Sequence, residues 1–245
     1  MSSSIQWDWL LHSPRPGIVN MEVDRRLLER VETSPCQCTL VRFYRWERPT
    51  VSLGSHQRTE RALNHRHCLE QGIPWVHRPT GGRAVFHADE LTYAVVSNDP
   101  FHFPLHSLQQ THRKISLALR RGLQLLGIET TLAARSSRPP DSSPTGSQKP
   151  CFTAPCFHEV VQGSRKIVGS AQRKLKRSFL QHGAIPLTID YPNMAGALGV
   201  NPDLLRSKAL SVSAAAGRPI AFETLSRALR QGLEESFEIQ LKRIE

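Results

Sequence analysis

The sequence predicts one α+β domain, and three observations carry that expectation. Segments of strand character cluster in the middle of the chain, with helical segments before and after them. No internal repeat and no linker splits the 245 residues into two cores. Hydrophobic residues make up 39% of the chain, enough to bury a substantial core and to exclude disorder of the whole.

Taken in order, Asn20 stands where it can cap a first helix that carries Val23, Leu27, Leu28 and Val31 at helical spacing. Residues 39–46 (TLVRFYRW) are rich in β-branched and aromatic side chains and read as a strand closed by the Arg48-Pro49 turn. Residues 50–57 (TVSLGSHQ) read as a short strand entering a glycine-containing loop, and the polar 58–71 as a weak helix stopped by Gly72 and Pro74. In 75–96 (WVHRPTGGRAVFHADELTYAVV) two apolar runs flank polar turns, which predicts strand, glycine loop, strand, turn, strand. The clearest helix spans 107–127, with Leu108, Ile115, Leu119, Leu123 and Leu126 on one face and Gly127 at its end. Residues 131–150 (TLAARSSRPPDSSPTGSQKP) hold too little apolar surface to offset their ordering entropy, so a mobile loop is expected there. Beyond Pro186 the chain turns helical, with Asn201-Pro202 opening a short helix and Pro219 preceding one that carries Phe222, Leu225, Leu229 and Leu233.

The formal charge of +11 points to an acidic partner: nucleic acid, anionic membrane or acidic protein. No stretch approaches the roughly 18 apolar residues of a membrane span, and Asp8 takes the place of the basic start of a secretory leader. A cytoplasmic protein is expected, with its five cysteines as free thiols.

The chemistry concentrates in 151–187 (CFTAPCFHEVVQGSRKIVGSAQRKLKRSFLQHGAIPL). Six Lys or Arg residues fall between Arg165 and Arg177, and no Asp or Glu occurs between Val160 and Ile189. Cations favour a thiolate, and the thiolate is the form that attacks. Cys151 with Lys166 therefore makes a candidate dyad in which the ammonium lowers the thiol pKa and then serves as acid or base; Cys156 competes for the thiol's role. As a metal site, Cys151, Cys156 and His158 lack both a fourth ligand and Cys-x2-Cys spacing, and none is expected. Cys36-x-Cys38 and His65-x-His67-Cys68 read as structural or surface features. Gly81-Gly82 between Arg78 and Arg83 is either a plain turn or a loop where bare backbone approaches a ligand and two guanidinium groups bind an anion. It is neither a Walker loop nor a dinucleotide fingerprint. The basic run Arg173, Lys174, Lys176 and Arg177 has no aromatic residue for base stacking and suits a solvated face or a dock for an acidic protein.

HRPTGGRAVFHADELTYAVV and GSRKIVGSAQRKLKRSFLQHGAIPL resemble the two signature blocks of the biotin/lipoate protein ligase superfamily, and the flanking helices extend the resemblance over nearly the whole chain. It implies a class II aminoacyl-tRNA synthetase/biotin synthetase-like mixed β-sheet flanked by helices. Cys151-Phe152-Thr153-Ala154-Pro155 resembles the Cys-Phe-x-x-Pro segment of the LipM-type octanoyltransferase branch. That branch moves octanoyl from acyl carrier protein to a lysine of a lipoyl-accepting protein, such as the glycine cleavage H protein or a dehydrogenase E2 lipoyl domain. By the resemblance Cys151 is the acyl nucleophile and Lys166 its partner, while Arg78, Thr80, Gly81, Gly82, Arg83 and His87 line the acyl pocket. Gly169, Ser170, Ala171 and Gln172 are expected as a turn of oxyanion donors, with His182 and Gly183 beside them. His77 and Ala184 depart from the family's usual Arg and Ser, which bears on substrate preference. No cofactor, nucleic acid or membrane is expected. The first rival is an ATP-dependent lipoate ligase of the same fold, which would need ATP and magnesium; the second is a non-catalytic binding module.

Overall fold

The computed structural model describes residues 5–134 and 157–245. Twelve strands and eight helices are seen among the described residues. In chain order they are β1 (Ile5–Leu11), α1 (Gly17–Thr33), β2 (Thr39–Tyr44), β3 (Thr50–Leu53), α2 (Thr59–Ala62), α3 (His65–Glu70), β4 (Trp75–His77), β5 (Val85–His87), β6 (Glu90–Ser97) and α4 (Leu108–Gln124). There follow β7 (Thr131–Leu132), β8 (Val160–Gln162), β9 (Arg165–Lys166), β10 (Gly169–Lys174), β11 (Phe179–Pro186), α5 (Tyr191–Leu198), α6 (Pro202–Lys208), α7 (Val212–Ala216), α8 (Phe222–Phe237) and β12 (Ile239–Arg243).

A mixed six-stranded sheet, ordered β10-β11-β6-β2-β1-β12, forms the frame. β1 runs parallel to both β2 and β12, and the other pairings are antiparallel. Two small sheets, β4-β3-β5 and β7-β8-β9, flank it. The central strand β6 is buried along its length, with Leu91, Tyr93 and Val95 packed in the core of α4 and α8, and Ala94 and Val96 in that of α1. Helices on both faces explain why its sequence is a continuous apolar run rather than an alternating one. α4 and α8 approach backbone to backbone at Gly122 and Gly232; a Cβ at Gly122 would lie 2.7 Å from Leu229 Cα.

Three expectations change. Asn20 does not cap α1, which begins at Gly17; it is buried inside the helix, where its side chain donates to the carbonyls of Arg15 and Arg45 and accepts from Arg42. An amide that serves the loops on either side was available, so the helix could start a turn earlier. Thr131 and Leu132 are not loop but strand, because β8 supplies backbone partners at Val161 and Val160. The expected loop at 135–150 lies outside the described residues. The segment 169–172 is not a turn either: it opens edge strand β10, with Ser170 opposite Gly183 and Ala171 opposite His182. An edge strand still leaves alternate N–H groups pointing away from the sheet.

Candidate active site

β10, β11, β5 and Arg78 surround one cleft of about 360 Å³, its open mouth included, whereas Thr80, Gly81, Gly82 and Arg83, expected to line it, are not in its lining. Arg78, His87, Gly169, Ser170, Ala171, His182 and Gly183 all line it, so seven of the expected site residues converge. Met21, Tyr44, Trp46, Val85 and Ala184 supply apolar surface; Ser52 and Thr92 complete the lining. Gln172 is not in the lining; its amide donates to Gln181 Oε1 at 2.9 Å.

The glycine loop is held from inside. Arg78 is 5% exposed and donates to the carbonyls of Ser52, Gly81 and Arg83 at 2.8 to 3.2 Å. It buttresses the turn from within and also lines the cleft. Arg83 is exposed. Gly82 adopts φ +94°, a conformation that favours glycine, and a Cβ there would sit 2.9 Å from Arg78 Nη2. Thr80 is fully buried behind the cleft wall and hydrogen-bonds His182 Nε2 at 2.7 Å.

Two buried histidines face the cleft, each fixed by a carboxylate. His87 Nδ1 meets Glu90 Oε1 at 2.8 Å and its ring stacks on Trp46 with centroids 4.0 Å apart. His182 Nδ1 meets Asp24 Oδ2 at 2.8 Å. Burial lowers the pKa of His182 against the raising effect of Asp24. Burial alone would raise Asp24; the His182 hydrogen bond and the Arg42 guanidinium outweigh it and hold the carboxyl below its ordinary value.

Lys166 lies on β9, three residues before β10, and is fully buried with its ammonium 2.5 Å from Glu159 Oε1. Glu159 was not anticipated from the sequence, since it sits outside the basic run. Tyr93 is near enough to feel the charges of this pair; its hydroxyl bonds Ser170 Oγ and Gln181 Nε2, each at 2.8 Å, and burial pushes its pKa up to about 12. Cys151 and Cys156 lie outside the described residues. His158, with φ 68°, is held to β7 through its backbone N–H and the Ala133 carbonyl.

No His, Cys, Asp or Glu cluster suited to a metal occurs among the described residues. Cys36 and Cys38 are free thiols, the first exposed; His67 bonds Asn193 while Cys68 is buried, so neither cysteine motif gathers ligands. No described helix is long and apolar enough to cross a membrane.

Residues 16–234 match the model of the lipoyl protein ligase A/B catalytic domain. The chain belongs to that family. Two lipoyl protein ligase A/B relatives put the likeness on a finer scale. The octanoyltransferase LipM of Oceanobacillus iheyensis is 31% identical over 247 residues, covering 98% of this chain and 88% of that one. The octanoyltransferase LipM of Kyrpidia tusciae is 33% identical over 245 residues, covering 95% and 88%. Among solved structures, the bipartite lipoate protein ligase of Thermoplasma acidophilum, studied with its E2 lipoyl domain, superposes with a TM-score of 0.75 at 21% identity, over 98% of this chain and 88% of that one. At that identity the superposition speaks for the family's fold: a mixed sheet flanked by helices.

Proposed function

We propose that this chain is an octanoyltransferase of lipoate biosynthesis, taking octanoyl from acyl carrier protein onto Cys151 and passing it to a lysine of a lipoyl-accepting protein. The observation that carries the reading is the end-to-end likeness, at 31 and 33% identity, to proteins named for that activity. The chemistry of the site supports it. Cys151 thiolate attacks the thioester carbonyl; the new C–S bond forms, the carrier's C–S bond breaks, and the departing thiolate takes up a proton. A neutral acceptor amine then attacks the acyl-enzyme, the amide forms, Cys151 leaves as thiolate, and the amine's surplus proton passes to a base. Lys166 holds the thiolate and relays these protons, with Glu159 keeping its ammonium charged in a dry setting. Edge-strand N–H groups of β10 are available to the oxyanion. The apolar lining favours the acyl chain at about 0.8 kcal/mol per buried CH2 and limits its length sterically.

The acceptor is a lipoyl domain of the E2 or H-protein kind, and no ATP, magnesium or other cofactor takes part. Intact-mass measurement after incubation with octanoyl-acyl carrier protein tests the reading. An octanoyl adduct on the wild type that vanishes in Cys151→Ser is expected. Lipoylation that survives Cys151→Ser and requires ATP would establish the ligase instead, and a protein that binds carrier without any adduct would be a binding module.

A further inference from the structure

Helix α1 lines the cleft with Met21 and reaches the groups behind its wall through the carboxylate of Asp24. Asp24 is fully buried, with Oδ1 accepting from Arg42 Nη1 at 2.6 Å and Oδ2 from Tyr44 hydroxyl at 3.0 Å and His182 Nδ1 at 2.8 Å. An ionised carboxylate only accepts, so the His182 proton sits on Nδ1. The Nε2 lone pair is then open to the Thr80 O–H at 2.7 Å, and the Thr80 oxygen in turn accepts from Arg78 Nε at 3.2 Å. Each group in the row Arg78, Thr80, His182, Asp24 donates to the next, and no other assignment satisfies all of them.

We infer that Asp24 is a positioning residue of the transfer site: through the tautomer of His182 it orients the hydroxyl of Thr80 and so fixes Arg78, which lines the cleft, and the glycine turn bound to it. The inference rests on the octanoyltransferase reading for its kinetic test alone. A second row holds the same turn from the other side. Arg78 Nη1 donates to Ser52 O at 3.0 Å and lies 3.2 Å from Ser52 Oγ, which bonds His87 Nε2 at 2.7 Å, and His87 is backed by Glu90. Cutting the first row at Thr80 therefore leaves Arg78 held by the second.

The row also has a polarity that acid reverses. A proton on His182 Nε2 would face the Thr80 oxygen, which already accepts from Arg78, and would strip the Thr80 hydroxyl of its acceptor. The charged and titratable groups around that ring are Asp24 from α1, Arg78 from the loop after β4 and His87 from β5.

The test is a double-mutant cycle on Asp24→Asn and Thr80→Val, with Thr80→Ser as the rescue, following kcat, KM and melting temperature across about pH 5 to 8. Thr80→Val is expected to lower kcat roughly 10- to 100-fold with KM little changed, because it misplaces the wall rather than removing binding surface. It should also abolish the acid limb that His182 imposes on kcat, and Thr80→Ser should restore most of both. Asp24→Asn should lower kcat to a similar extent, and the double variant should be no worse than either single one. Wild-type kcat and acid limb in Thr80→Val, or losses that multiply in the double variant, would overturn the inference. If Asp24→Asn does not fold, the Val and Ser pair decides through the pH profile. Imidazole 15N spectra of the wild type give a reading that needs no transfer activity. A wild type that forms no octanoyl adduct refutes the octanoyltransferase assignment, while His182 protonated on Nε2 in those spectra overturns this inference independently.

Discussion

Gly183→Ala places a methyl group where the cleft has no room for one. On β11 it would lie against the Gly169 carbonyl of β10 and 2.7 Å from Tyr93 Cε1. Ordinary contact begins at 3.4 Å, so the Tyr93 ring must retreat by about 0.7 Å and the two strands must also part at the Gly169 carbonyl, which is nearer still. The Tyr93 hydroxyl bonds Ser170 and Gln181, so the shift is delivered to the wall that carries Ser170, Ala171 and His182. Overpacking of this kind costs about 1 to 3 kcal/mol, which in a chain of this size lowers the melting temperature by about 2 to 12 °C. Misplacement approaching 1 Å at a reacting centre costs up to about 100-fold in rate, so kcat should fall by one to two orders of magnitude. Calorimetry and single-turnover octanoyl transfer measure the two effects separately. Gly183→Ala with wild-type melting and wild-type rate would refute the placement of substrate against this strand pair.

Glu159→Ala takes the carboxylate away from buried Lys166 and should destabilise the fold by about 3 to 5 kcal/mol while slowing acylation of Cys151; chemical denaturation and intact-mass time courses check the two parts. Burial first, then His158 and Lys166, lowers His112 to about 4, and burial with Arg42 lowers His12 to about 4. The unfolded chain takes up these protons near pH 6.5 and the folded chain does not, so stability is full above about pH 6.5 and falls as pH drops toward about 4. His112 contributes up to about 3 kcal/mol of that fall, and His112→Phe should flatten the limb in a pH series of melting curves. Arg173→Glu combined with Lys176→Glu should raise KM for acyl carrier protein and weaken its dependence on salt; a KM with unchanged salt dependence would remove the β10–β11 turn from carrier docking.

The helices with strong periodicity were legible in the sequence. α4 begins after Ser107, whose side chain accepts from Gln110 N–H, and Gly127 takes φ +77°; α6 begins with Asn201 accepting from Asp203 N–H. So were β2 to β6, whose apolar runs are bounded by glycine and proline. β1 and β12 were not: they pair with each other from opposite ends of the chain, and β1 gains its second partner, β2, only across α1. The strands within 160–186 were hidden by the composition of β9 and β10, which are rich in Lys, Arg, Gly and Ser and owe their conformation to pairing. At the site, the signature blocks located the glycine loop, Lys166 and His182. Asp24, Glu159, Tyr93 and Met21 were not singled out, since only the folded structure brings Met21 to the cleft, Asp24 to His182, Tyr93 to Ser170 and Glu159 to Lys166.

The six-stranded sheet is open, and both of its outer strands display cations: Arg173 and Lys174 on β10, Lys242 and Arg243 on β12. Strand margins with free backbone groups are where copies of a protein zip together, and like charge on the two margins works against that. Among the described residues, two copies brought margin to margin would set these cations against each other. Salt that screens the margins weakens this repulsion, making ionic strength a determinant of the protein's solubility.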